Sequence, residues 1–131
     1  MTIPALLGIA TYYAGIYVGN PLYCSTPAAP LYYEASTAPW VALPYREYNV
    51  TWACGEPVYL EGVDATGKHW TLFARAWDTG PFGAYCVRQP DGTCPPIVVD
   101  VPKHLAPFAG MSSRVTVRNM AREAERMGVV P

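Results

Sequence analysis

Two acids stand out by their setting. Asp78 ends the β-like run Leu72-Phe-Ala-Arg-Ala-Trp77 and opens the turn Asp78-Thr-Gly-Pro-Phe82, while Asp100 interrupts the apolar run Ile97-Val-Val-Asp-Val101. With only ten acids among 131 residues, two at neighbouring strand ends are natural candidates for paired-carboxylate chemistry. An unpartnered charge is costly to bury, and desolvation of a carboxylate raises its pKa. Asp100 would then keep a proton near neutrality and could serve as a general acid. If Asp78 comes close, like-charge coupling raises one of the two pKa values further. Each acid also has a structural job open to it. Asp100 precedes Pro102 and could cap a following helix near Lys103. Asp78 is a good turn starter, its side chain bonding the backbone two residues on.

The elements that must position these acids read as strands. Gly8 to Gly15 is β-branched and aromatic between glycines, and forms a first strand. From Ile16 to Pro44 the chain reads as one long loop, with prolines at 21, 27, 30, 39 and 44. A loop of that length is either functional or tied down. Glu47 to Trp52 is a short extended piece. Pro57–Gly62 and Trp70–Trp77 form a hairpin around Asp64-Ala-Thr-Gly67. Further strands are expected at Ile97–Val101 and Arg114–Arg118. Helical signals are few: one or two turns over Pro102–Ala109, and a C-terminal helix over about 119–128 with Asn119 as N-cap and Gly128 as stop. Short strands and long loops make the fold mainly β, a small closed barrel of six or so strands rather than a sandwich.

Composition agrees and narrows the function classes. The chain is long enough for a single domain, residues 1–131, with one core. Fourteen prolines, eleven glycines, ten tyrosines and four tryptophans make it turn-rich and aromatic, and charged residues are only 15%. A net charge of −1 gives no steering toward nucleic acid or an anionic membrane. No stretch reaches the roughly 18 apolar residues of a membrane span. Residues 1–10 lack the basic start and length of a signal peptide, so export would require a leader outside this sequence. Four cysteines without a Cys-x-x-Cys spacing favour disulfides over zinc and an oxidising compartment. Cys86 and Cys94 flank a turn-forming loop that a disulfide could close; Cys24 and Cys54 pair by elimination. His69 and His104 are isolated, and no metal or cofactor is expected.

The order of motifs resembles the double-psi β-barrel superfamily, in particular its rare lipoprotein A-like branch, related to expansins and family forty-five endoglucanases. Gly8-Ile-Ala-Thr-Tyr-Tyr-Ala14 resembles the branch's first strand, Gly-x-Ala-Ser-Trp-Tyr-Gly. Thr37-Ala-Pro-Trp-Val-Ala-Leu-Pro-Tyr45 resembles its Thr-Ala-Ala-His-x-x-Leu-Pro-Phe segment. Gly55-Glu-Pro-Val-Tyr-Leu60 resembles its Gly-x-x-Val-x-Val strand, and Asp78-Thr-Gly-Pro-Phe82 its Asp-Arg-Gly-Pro-Phe turn. Val99-Asp-Val-Pro102 through Val115-Thr-Val117 resembles the Ile-Asp-Leu-Ser and closing Val-x-Val pair. The likeness spans about residues 8–118, and the Asp-Thr-Gly turn is also similar to that of membrane-bound lytic transglycosylase A. It implies a small six-stranded double-psi β-barrel, secreted or periplasmic and monomeric, acting on peptidoglycan or a β-glucan.

Site residues carry over unevenly. The resemblance implies Asp100 and Asp78 as catalytic, and a groove bordered by Tyr12, Tyr13, Trp40, Tyr45 and Trp77 that stacks on sugar rings. Trp40 stands where the family has a histidine. Glu34 lies near the family's upstream glutamate but out of register, a candidate second carboxylate or a solvated loop acid. Four activities stay open. They are glycosidic cleavage of the lytic-transglycosylase type, an expansin-like binding module that loosens the wall, β-glucan endoglucanase activity, and barwin-like defence or inhibition by surface recognition.

Overall fold

The computed structural model describes residues 6–13, 21–32, 39–44, 53–80 and 85–120. Six strands appear among them: β1 (Leu6–Tyr13), β2 (Trp40–Pro44), β3 (Pro57–Asp64), β4 (His69–Gly80), β5 (Ile97–Pro102) and β6 (Ser112–Asn119). They close into a barrel in the order β1-β5-β2-β4-β3-β6. β1 with β5 and β2 with β4 run parallel, and the remaining neighbours run antiparallel. The expected mainly β, closed-barrel architecture is what the chain forms.

Sequence pattern explains most of these strands. In β4, exposed His69, Thr71, Phe73 and Arg75 alternate with buried Trp70, Ala74 and Ala76, the period-two signature of a half-buried strand. Its hairpin partner β3 is found where it was expected, turning at Asp64–Gly67. β2 lies inside the span read as loop, and its absence from that reading is a correction. All five of its residues are buried, so Trp-Val-Ala-Leu-Pro shows no alternation, and flanking prolines disguise it further. The turn after β5 is a single 3₁₀ turn, Lys103–Leu105. β6 extends through Asn119, the expected N-cap; the C-terminal helix and the Glu47–Trp52 piece lie outside the described residues.

The barrel core contains Val41, Leu43, Val58, Leu60, Trp70 and Val99, all buried. Trp70 is fixed on three sides. Its Nε1–H donates to Ser113 Oγ at 2.8 Å, its ring lies 5.2 Å from that of Phe108, and its edge fills the space a side chain at Gly62 would take. A Cβ at Gly62 would press on the Trp70 ring and sit 2.6 Å from the Arg114 carbonyl oxygen. Gly62→Ala is therefore expected to destabilise by about 2–3 kcal/mol through overpacking. A midpoint of denaturant unfolding within error of the parent would contradict this.

Asp64 pins the β3–β4 turn to the segment after the 3₁₀ turn. Its Oδ1 accepts the Thr66 hydroxyl at 2.6 Å and the amides of Thr66 and Lys68, while Oδ2 accepts the Ala109 amide at 2.9 Å. These donors, the Thr66 hydroxyl foremost, hold its pKa down at about 2. A lowered folded-state pKa stabilises above the unfolded value near 4 and is lost as pH falls toward 2. Asp64→Asn places an amide NH₂ against one of these donors. It should lower the thermal midpoint at pH 7 by roughly 5–10 °C, with the difference shrinking on titration below about pH 3.

Candidate functional site

The two acids share one row of the sheet. Asp100 on β5 pairs with Ala42 on β2, and Ala42 pairs with Asp78 on β4. Thr11 on β1 completes the row as Asp100's partner on the other side. Register partners on adjacent strands project to the same face, so Thr11, Asp100, Ala42 and Asp78 line up across four strands. Two strand spacings, about 9–10 Å, separate the backbones of the acids, and Ala42 between them is the smallest floor a chiral residue can make. The register slips by one residue between Val41 and Ala42, leaving Trp77 as the extra residue on β4. Such a bulge re-aims the residue that follows it, here Asp78.

Both carboxylates are half-buried, and each has a specific donor. Asp100 Oδ1 accepts the Thr11 hydroxyl at 3.0 Å. Asp78 Oδ1 accepts the Tyr23 amide at 2.9 Å. Burial dominates at Asp100 and pushes its pKa up to about 6; the Thr11 hydrogen bond opposes this, and the negative charge of Asp78 adds to it. The helix-cap alternative for Asp100 is not realised. The residue before the 3₁₀ turn is Pro102, and no side chain caps that turn. Asp78 reaches outward to Tyr23 across 55 positions of sequence. Asp78→Asn keeps an acceptor for the Tyr23 amide and removes the charge. The Asp100 pKa is then expected to fall, as read by a carboxyl titration; an unmoved Asp100 would mean that the acids do not sense each other.

A covering segment, residues 21–32, lies over β2 and the β4 bulge. Its Leu22 is buried with Trp40 in a second small cluster, against which Leu31, Trp77 and Leu105 pack. Both disulfides form as expected. Cys24–Cys54 ties this segment to the approach of β3, and Cys86–Cys94 closes the loop before β5. Cys24 also donates its amide to the Trp77 carbonyl at 3.0 Å.

The remaining site expectations divide. Trp40, expected to stack on sugar, is completely enclosed; this is a correction, because Leu22 and its neighbours cover the face that was to be open. Trp77 is half-buried beneath the same segment. Tyr12 packs against the barrel core, with Lys103 Nζ 5.8 Å from its ring centroid. Tyr13 ends β1 opposite Pro102. Glu34 and Tyr45 lie outside the described residues. Sequence reasoning missed Thr11 and Tyr23, both of which touch the acids. A β-branched hydroxyl in a strand and a tyrosine in a proline-rich loop carry no local signal of such long-range partners.

An open groove of about 510 Å³ lies on the opposite wall, between Leu7, Gly8, Glu61, Val63, His69 and Arg114. Neither carboxylate of the acid row lines it. Among the described residues no group of three His, Cys, Asp or Glu is placed to hold a metal ion, and no helix is long and apolar enough to cross a membrane. The chain matches no protein-family model, no curated protein and no solved structure. What fold and site define is a closed six-stranded β-barrel with two disulfides, compatible with an extracellular or periplasmic protein, bearing two acids in one cross-strand row.

Proposed function

We propose that this protein is a secreted or periplasmic double-psi β-barrel that cleaves glycosidic bonds of a cell-wall polysaccharide, in the manner of a lytic transglycosylase on peptidoglycan. The observation that carries this reading is a half-buried Asp100 whose pKa lies at about 6. A general acid works best with a pKa near the operating pH. Two parallel strand pairs, β1 with β5 and β2 with β4, each with a one-residue register slip, support the double-psi assignment.

The reaction needs one acid/base. Protonated Asp100 donates to the bridging oxygen as the bond from C1 breaks, and the bonding pair leaves with that oxygen. The C6 hydroxyl oxygen of the same sugar closes on C1, and Asp100 takes the hydroxyl proton. The products are an anhydro end and a new free hydroxyl end, no water is consumed, and Asp100 is protonated again. A retaining hydrolase would instead need a second carboxylate about 5–5.5 Å from the first. Asp78 sits two strands away with one oxygen held by the Tyr23 amide, which favours a charge that tunes Asp100 over a nucleophile.

Incubation with purified sacculi and with insoluble β-glucan, followed by mass spectrometry of the soluble fraction, tests this. Anhydro-muropeptides from sacculi are the expected products. Hydrolytic oligosaccharides from β-glucan would assign an endoglucanase instead. Binding to either polymer without products would leave an expansin-like module and end the enzymatic reading. Absence of both binding and products would favour a barwin-like recognition protein.

A further inference from the structure

Residues 21–32 form a closed miniature hairpin. Pro21 and Tyr32 bridge its ends, and the Leu22 amide donates to the Leu31 carbonyl at 2.9 Å. Inside the loop, the Leu31 amide donates to Ser25 Oγ at 2.9 Å and the Ala29 amide to Thr26 Oγ1 at 3.0 Å. Four ties fix it to the barrel: buried Leu22 against Trp40, the Cys24–Cys54 disulfide, the Cys24 amide on the Trp77 carbonyl, and the Tyr23 amide on Asp78.

Alternation along the hairpin decides what it shows to solvent. Leu22 and Leu31 turn inward. Tyr23 and Tyr32, their neighbours, face out with 58% and 42% of their surface exposed. Large aromatic side chains left this exposed on a segment with such a dense set of bonds form a preorganised surface. Its position is set by the site, because the Tyr23 backbone is within hydrogen-bond distance of Asp78.

We infer that Tyr23 and Tyr32 form a sugar-stacking subsite on the Asp78 side of the acid row, holding the polysaccharide chain next to the bond that is cut. This rests on the glycosidic reading above and assigns to it the aromatic surface that enclosed Trp40 does not provide. The ligand class is a β-linked pyranose chain, whose rings present flat C–H faces to an aromatic plane. The phenol rings supply that plane and the hydroxyls can bond to sugar hydroxyls at its edge.

The test uses the full chain made inactive by Asp100→Asn, so that binding is read without cleavage. Sedimentation with sacculi and with insoluble β-glucan gives the affinity, and the polymer that retains the protein identifies the source of the chain. Adding Tyr23→Ala and Tyr32→Ala to that background should weaken binding by about tenfold or more. The matching Tyr→Phe pair should keep most of it, which separates loss of stacking from loss of fold. Binding by the alanine variant within twofold of its parent would overturn the subsite while leaving the glycosidic reading intact if wild-type protein still releases products. Failure of the Asp100→Asn protein to bind either polymer, together with no products from wild type, would remove both.

Discussion

Asp100→Asn is expected to abolish cleavage and to stabilise the protein. Loss of the only acid/base in the proposed mechanism should cost about 10³-fold or more in rate, within the range of positioned proton transfer and its coupled steps. Stability should move the other way, with a pH dependence set by the difference between the folded and unfolded pKa of Asp100. A folded-state pKa near 6, against about 3.9 unfolded, means that the native state binds the proton more tightly. Below about pH 3 the acid is protonated in both states and imposes no penalty. As pH rises through 6 the buried charge must form, and the penalty grows to about 3 kcal/mol. Asparagine keeps the shape and an acceptor for the Thr11 hydroxyl without the charge. Denaturant unfolding should therefore show a gain of about 2–3 kcal/mol at pH 8 and essentially none at about pH 3. An equal gain at both values would locate the effect in packing instead of ionisation.

Removing the Cys24–Cys54 disulfide as Cys24→Ser with Cys54→Ser has the other large effect. The cross-link spans 30 positions, and loop-closure entropy of that size corresponds to about 3.5 kcal/mol of stability. The Cys86–Cys94 link spans 8 and corresponds to about 2.5 kcal/mol. Functional consequences separate the two more sharply than stability does. Both arms of the longer link dock beside the β4 bulge: Cys24 donates to the Trp77 carbonyl, and Gly55 donates to the Ala76 carbonyl at 2.8 Å. Freeing them loosens the hairpin that holds Asp78. The shorter link closes a loop whose Asp91 faces Arg114 on β6 at 3.8 Å, away from the acid row. Assayed below their thermal midpoints, the Cys24/Cys54 variant should lose most polymer cleavage and the Cys86/Cys94 variant should keep it. Equal activity in the two would mean that the covering segment does not organise the site.

What was legible in the sequence follows from the range of the interactions. The β3–β4 hairpin is local: alternating burial and an Asp-Ala-Thr-Gly turn sit within one window of sequence, and both are visible there. The pairing of Cys86 with Cys94 across a turn-forming loop is local in the same way. β2 is not, because both its faces are covered by distant segments and a strand buried on two sides loses its alternation. Asp78 and Asp100 were recognisable as unusual acids, yet their common row depends on Ala42 in that unrecognised strand. Trp40 failed for the same reason. A tryptophan after a proline in a loop looks exposed until Leu22, 18 positions earlier, closes over it. Thr11 and Tyr23 became visible only through hydrogen bonds spanning 89 and 55 positions.

Burial holds the Asp100 carboxyl at a pKa of about 6 in the folded protein, so it stays largely protonated up to mildly acidic pH, where a solvated carboxylate has already ionised. Titration of the aspartate side-chain carboxyl carbons by NMR, assigned with the Asp100→Asn variant, measures this directly. One aspartate is expected to titrate near pH 6, its signal absent from the variant and its midpoint matched by the basic limb of the cleavage profile. An Asp100 resonance that titrates near pH 4, like an ordinary solvated carboxylate, would contradict it.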